Sequence, residues 1–290
     1  MKRFTLVLII ALLQSCIVLN DDGVGKAQQL FDQGKYSAAL AALDQVSSFR
    51  KSKDAKFLEA KIHTKLKSHS TAIDVLENLK GTRFKQDTVN FLIGRNYYLL
   101  DNSTEHNSWA LNWAISAADE AININSEYFE AYKLKSKALH NLSRHEENIL
   151  LLDKVTQIFP DSIEIKLFRT IAKYGLTDYI SVEREISDFI KTCSKIDSSN
   201  LGLAYRFRGL AFYERCHVIR GSKADSLSKL AIESFTESLL YDGNNKMTYF
   251  NRGLAYKRSD GSKACDDFRK SADLGYMLAY DHIKSDCKYN

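Results

Sequence analysis

The sequence predicts an all-α chain built from stacked helical hairpins, and three observations predict it. A single proline and 13 glycines in 290 residues leave too little turn material for the chain reversals that an all-β or alternating βα fold requires. Small residues recur at Ala27, Ala60, Gly94, Ser136, Thr170, Gly209 and Gly253, at spacings of 33, 34, 42, 34, 39 and 44. Two further columns keep step with them: Ala39, Ala72, Ala114, Asn148, Ala231 and Cys265, then Val46, Leu79, Ala121, Val155, Phe189, Ser238 and Ala272. A period of about 34 residues is two helices with their turns, and such a unit hides its apolar faces only against its neighbours.

The elements follow in order. The phrase GKYSAALAALDQV carries the first hairpin, and Ala60 with Ala72 the second. The polar segment Asp101 to Ser108, read as a loop, lengthens the third. Trp109 and Trp113 follow on its second helix, four residues apart and so on one face. They are expected in the core; a surface pair would instead mark a lateral docking patch. Tyr132 to Pro160 holds the fourth hairpin, with Ser136, Leu139, Leu152 and Val155 in register. Ile163 to Ile190, the fifth, has lost the small residues and is placed by spacing. The sixth carries a second polar insertion, Arg220 to Lys229, also read as a loop. The seventh reads YFNRGLAY and then ACDDFRKSA over Tyr249 to Ala272. Gly275 is a helix stop, and Tyr276 to Cys287 should form a terminal helix covering the open edge of the last hairpin.

These columns resemble the tetratricopeptide repeat (TPR), in which a small residue on the first helix faces an alanine on the second so that the two axes approach closely. The resemblance spans residues 24–275. It implies a right-handed superhelical solenoid of antiparallel helix pairs, about seven repeats long, with residues 276–290 as capping helix and tail. The phrase KACDDFRKSADLGYMLAYDHIKSDC is similar to the C-terminal repeat of exported proteins of Bacteroidota, a likeness that includes Cys265 and Cys287.

At the N-terminus, Met1-Lys2-Arg3 and the apolar run Phe4 to Leu13 make a charged start and a core of signal-peptide length, too short to span a bilayer. Residues 1–15 are the expected signal peptide. Leu13-Gln14-Ser15-Cys16 resembles a bacterial lipobox, which implies acylation at Cys16 and a lipidated linker over residues 16–23. The chain would then be an outer-membrane lipoprotein of the cell envelope. Its only hold on the membrane would be its acyl chains, at roughly 0.8 kcal/mol per buried methylene. The alternative is cleavage near Ser15 and a secreted or periplasmic chain.

No cofactor and no enzyme activity are expected, because GxxxxGK[ST], GxSxG, HExxH, CxxC and EF-hand patterns are absent from the sequence. Arg144-His145-Glu146-Glu147 lacks a second histidine four residues on and reads as a solvated turn. Cys216 and His217 point about 100° apart on a helix, so a core cysteine and a rim histidine are expected there in place of a metal site. With Cys16 set aside, Cys193, Cys216, Cys265 and Cys287 allow two disulfides in three connectivities in an exported chain. Cys265 with Cys287 is the first choice, since the capping helix should pack over the last second helix; two buried thiols are the alternative. The net charge of +5 comes from 41 basic and 36 acidic residues spread along the chain. It lacks the clustered footprint of a nucleic-acid binder.

In the TPR family one face of each first helix lines a concave groove that holds a partner's peptide. By register, that column here holds Phe57, Lys61, Phe91, Arg95, Tyr98, Lys133, Lys137, His140, Tyr174, Arg206, Tyr213, Phe250, Lys257 and Arg258. Aromatic and arginine side chains are the usual hot spots of interfaces, and a row of cations favours an acidic or C-terminal-carboxylate peptide. The alternative is that the aromatics are inter-repeat core and the cations a solvated face. Leu92 and Phe207 stand where the carboxylate clamp of chaperone-binding TPR domains has asparagine or arginine, so no chaperone partner follows. The expected function is a protein–protein interaction scaffold at the cell envelope that binds a peptide or partner protein. An accessory subunit of an envelope enzyme or transport complex is the alternative.

Overall fold

A computed structural model describes residues 23–46, 51–101, 108–192 and 198–287. The expected signal peptide, Cys16 with its linker up to residue 22, and Cys193 lie outside the described residues. Among the described residues the chain is helical and contains no strand. It falls into two compact units, residues 1–142 and 143–290.

Unit 1 holds α1 (residues 23–32), α2 (Tyr36–Asp44), α3 (Lys53–Lys65), α4 (His69–Glu77), α5 (Gln86–Asp101), α6 (Ser108–Ile124) and α7 (Phe129–Asn141). Helices pack on their sequence neighbours, and α7 closes on both α5 and α6. Unit 2 holds α8 (His145–Ile158), α9 (Ile163–Tyr174), α10 (Tyr179–Thr192), α11 (Ser198–Val218), α12 (Ser222–Tyr241), α13 (Lys246–Tyr256), α14 (Gly261–Asp273) and α15 (Leu278–Asp286). Here too neighbours pack in order, with α11 also touching α9 and α13.

Local signals set the helix ends. Side chains of Ser52, Ser162, Asn245 and Asp260 accept hydrogen bonds from the third residue of α3, α9, α13 and α14, satisfying N–H groups that the helix leaves without a partner. Left-handed residues end the first helices of two hairpins, Gly34 (φ 75°) and Lys67 (φ 61°), and Gly275 (φ 83°) ends α14. After each, an N–H reaches back five residues: Lys35 to the Leu30 carbonyl at 2.9 Å, Ser68 to His63 at 2.9 Å and Tyr276 to Ser271 at 3.0 Å.

The recurring small residues are packing positions. Ala27, Ala60, Ser136 and Thr170 are buried, as are Ala39, Ala72, Ala114, Asn148, Ala231 and Cys265. A Cβ on Gly94 would stand 3.0 Å from the Ala114 carbonyl oxygen, one on Gly209 2.8 Å from the Phe235 ring, and one on Gly253 2.7 Å from the Phe268 ring. The paired axes are therefore too close for a larger side chain. In the fifth hairpin the second column is filled by Val182, fully buried.

Polar clips join the fourth, fifth and seventh hairpins to the ones before them, at a constant spacing of 16 residues. Lys135 Nζ bonds Asp119 at 2.7 Å, Arg169 Nε bonds Asp153 at 2.5 Å, and Arg252 Nη1 bonds Thr236 at 3.1 Å. Arg252 also holds both oxygens of the buried Asp267 at 2.7 Å.

Two expectations are corrected. Arg220 to Lys229 is not a loop, because α12 begins at Ser222. Ala224, Leu227 and Ala231 are buried at helical spacing with Phe212 and Cys216, and the buried Ser228 bonds the Ala255 carbonyl, so the insertion lengthens the α11/α12 hairpin. Trp109 and Trp113 are not core either, being 49% and 56% exposed. α6 turns Ala110, Ala114, Ala117, Ala118 and Ala121 inward, and the tryptophans lie on its other side.

The last helix is held by several contacts. α15 packs Ala279 and Ile283 into a cluster with Phe250, Ala264, Phe268 and Ala272. The His282 ring stacks on Phe268 at 4.9 Å. Cys265 on α14 is bonded to Cys287, with the Cα atoms 5.6 Å apart. Lys257 Nζ and His282 Nδ1 both reach Asp286, at 2.7 and 2.9 Å. Together they hold its carboxyl at a pKa of about 2, below the ordinary 3.8.

Candidate partner-binding face

All the singled-out residues but Arg258 occupy three register positions, counted from the small residue of each hairpin. One residue later stand Lys61, Arg95 and Lys137 on α3, α5 and α7, then Ile171, Leu210 and Leu254 on α9, α11 and α13. This position is cationic on α3, α5 and α7 of unit 1, where α1 has the neutral Gln28, and apolar on these helices of unit 2. Four residues later come Tyr98 and His140 in unit 1, and Tyr174, Tyr213 and Lys257 in unit 2. Three residues earlier come Phe57, Phe91 and Lys133 in unit 1, and Arg206 and Phe250 in unit 2.

In unit 1 aromatic rings buttress the cations. Lys61 Nζ lies 4.8 Å over the Phe31 ring, and Lys133 Nζ lies 4.9 Å over Phe129 while bonding Glu130 at 2.7 Å. Phe91 packs on Tyr128 at 5.1 Å, and the Tyr98 hydroxyl accepts a hydrogen bond from Asn141 at 3.3 Å. Arg95 and Lys137 are exposed, and Lys61 and His140 half-buried. Among the described residues no carboxylate pairs with Lys61 or Arg95. Phe57 is drawn inward: its ring meets Phe84 edge-on at 5.7 Å, with Lys85 Nζ over both rings.

In unit 2 the corresponding residues serve the fold. Phe250, expected in the groove, is buried under α15 against Phe268, Tyr276 and His282 at 5.7, 5.0 and 5.3 Å. The reason is that the last hairpin has α15 beside it in place of another repeat. Lys257 is tied to Asp286, and Arg258 to Asp225 at 3.2 Å. Arg206 lies 5.0 Å over the Phe207 ring, and Tyr213 meets His217 edge-on at 4.5 Å. Tyr174 bonds Glu214 at 3.3 Å; burial first, then that carboxylate, pushes its phenol pKa far above the ordinary value. The candidate residues thus divide, and Lys61, Phe91, Arg95, Tyr98, Lys133, Lys137 and His140 belong to unit 1. Phe31, Phe129 and Asn141, which support them, were not picked out in the sequence.

His145, expected in a solvated turn, opens α8 with its ring against the backbone of Gly175, and burial lowers its pKa. Cys216 is a buried free thiol and His217 is exposed.

No protein-family model matches the chain, and no curated protein is similar to it in sequence. Structural comparison identifies the fold. A TPR protein from Parabacteroides merdae matches with a TM-score of 0.74 over 91% of this chain and 97% of its own, at 14% identity. The chain has the tetratricopeptide-repeat fold. The C-terminal part of a TPR repeat-containing protein from Cytophaga hutchinsonii is similar at a TM-score of 0.55 and 15% identity, over 89% of this chain and 98% of its own. Human IFIT1, solved as a dimer with PPP-AAAA, is similar at 0.60 and 13% identity, over 89% of this chain and 61% of its own.

Proposed function

We propose that this TPR protein is an interaction scaffold whose first-helix face in unit 1 holds an acidic segment of a partner protein. It works at a bacterial cell envelope, anchored by acyl chains on Cys16. One observation carries the binding reading: Lys61, Arg95 and Lys137 repeat a cation at a single register position on three successive first helices. A row of like charges across neighbouring helices costs self-repulsion that an acidic ligand relieves, and its field speeds encounter before contact is made. Arg95 is the natural anchor. It is exposed, makes no bond within the described residues, and offers a planar fork of donors that fits a carboxylate. The envelope setting is supported by the leader-like run Phe4 to Leu13 and the Ser15-Cys16 step after it. An accessory role in an envelope enzyme or transport assembly would use the same face.

The test is capture of partners from solubilised envelope fractions by the full chain and by a Lys61→Glu, Arg95→Glu, Lys137→Glu variant of equal helicity. The parent should retain a partner that the variant loses; equal capture by both refutes the face. Capture abolished by nuclease would show a nucleic-acid ligand, as in the IFIT1 structure with PPP-AAAA, and would refute the protein reading. Mass spectrometry of the mature N-terminal peptide tests the anchor, which fails if that peptide is unmodified or starts elsewhere than Cys16.

A further inference from the structure

The exposed tryptophans of α6 belong to a cluster on a second helix of unit 1, separate from the first-helix face. Tyr97 of α5 is its base. The Tyr97 ring stacks on Trp113 at 6.0 Å with 23° between the planes, and meets Trp109 edge-on at 6.2 Å and 81°. Trp109, Trp113 and Glu120 fall on one stripe of α6, at helical spacings of four and seven residues.

The surroundings of the cluster are acidic. The Tyr97 phenol is raised in pKa by burial, then by Glu77 and Asp74 of α4, with Lys80 opposing. Lys80 is bonded to Glu120 at 3.0 Å. Three carboxylates therefore stand against one ammonium. The register explains why Glu77 is uncommitted: it occupies the place that Asp119 and Asp153 hold in later hairpins, and the residue 16 positions on, where they find Lys135 and Arg169, is the buried Ile93. The clip is missing at this junction, and its acid acts on the Tyr97 phenol of the aromatic cluster.

We propose that Tyr97, Trp109 and Trp113, with Asp74 and Glu77, form a second binding site that takes an arginine or lysine side chain from a partner protein. An indole face attracts a cation through its quadrupole, and nearby carboxylates add to that attraction. A guanidinium lies flat on the ring while its edge donates to an acid. A purely apolar partner would strip water from Asp74 and Glu77 without replacing it. A neutral sugar would use the rings and ignore the acids, and an anionic membrane surface would be repelled by them.

The chain holds two tryptophans, both in this cluster, so tryptophan emission reports on the site alone. The full chain is titrated with a blocked hexapeptide alternating arginine and glycine, with its glutamate counterpart, with cellohexaose, and with phosphatidylglycerol vesicles. The arginine peptide should give a saturable change in emission and the other three none. Asp74→Asn with Glu77→Gln should weaken the arginine titration roughly fivefold, the scale of one lost cation contact. The Lys61→Glu, Arg95→Glu, Lys137→Glu variant should bind the arginine peptide as the parent does, which keeps this site distinct from the first-helix face. No response to the arginine peptide, an equal response after the acids are neutralised, or a response to the sugar or the vesicles in its place would overturn the proposal.

Discussion

Gly253→Ala should destabilise the chain, although alanine is the better helix former. The added methyl would stand 2.7 and 2.9 Å from two carbons of the Phe268 ring and 3.2 Å from the Ala264 carbonyl oxygen. The shortest of these is about 0.7 Å inside ordinary contact. Phe268 is fully buried and cannot swing away, because Phe250 and His282 hold its other sides. α13 and α14 must therefore separate. Overpacking of this kind costs about 1–3 kcal/mol, against a gain of about 0.8–1 kcal/mol from helix propensity. A net loss of up to roughly 2 kcal/mol follows from those two principles, about 1 kcal/mol at mid-range. Gly25→Ala in α1 is the control: no atom lies within 4 Å of its added Cβ, so propensity acts alone and up to about 0.8 kcal/mol is gained. Urea titration followed by helical circular dichroism measures both. A Gly253→Ala chain as stable as the parent, or a Gly25→Ala chain less stable than it, would refute the steric account of the repeat.

Three further outcomes are expected. Thr177, a β-branched residue at φ 63° between α9 and α10, is strained, so Thr177→Gly should raise stability by about 1 kcal/mol in thermal melts; an unchanged or lower melting point counts against it. Cys287→Ser removes a crosslink between residues 22 apart and should cost about 3 kcal/mol. Hydrogen exchange should then quicken in α15, and exchange that stays slow there would show the helix docked without the bond. Asp286 has its carboxyl pKa depressed to about 2 from 3.8. Its contribution to α15 docking is therefore complete above pH 4 and is lost as pH falls from about 4 through about 2. Amide exchange in α15 should quicken over that window in the parent and show no such step in Asp286→Asn.

The fold was legible because its defining constraint is steric. Two helix axes that nearly touch exclude side chains at fixed intervals, and Gly94, Gly209 and Gly253 record that exclusion directly. The fifth hairpin was harder to read because Val182 fills its second column by volume where others use alanine. The α11/α12 extension was misjudged because Arg220 to Lys229 is polar in composition, while its helical spacing of Ala224, Leu227, Ser228 and Ala231 carried the true signal. The tryptophans were misplaced for a related reason. Their size suggested core, yet Trp113 precedes Ala114, already assigned inward, and adjacent helical residues diverge by about 100°. The 16-residue clips were also present in the sequence, as Lys135 with Asp119 and Arg169 with Asp153. For the binding face, register supplied Lys61, Arg95 and Lys137. It did not show that Phe250 is covered, which depends on what packs beside the last hairpin.

A stack of hairpins has sticky ends, since its outermost pair offers the same oily side that every inner pair has already matched. In unit 2, α15 plugs that side over α13 and α14, and the Cys265 to Cys287 bond fastens the plug covalently. A second molecule seeking to add its own hairpin there would first have to break a sulfur bond. In an oxidising compartment this end is therefore closed to filament growth, and reducing conditions would be needed to reopen it.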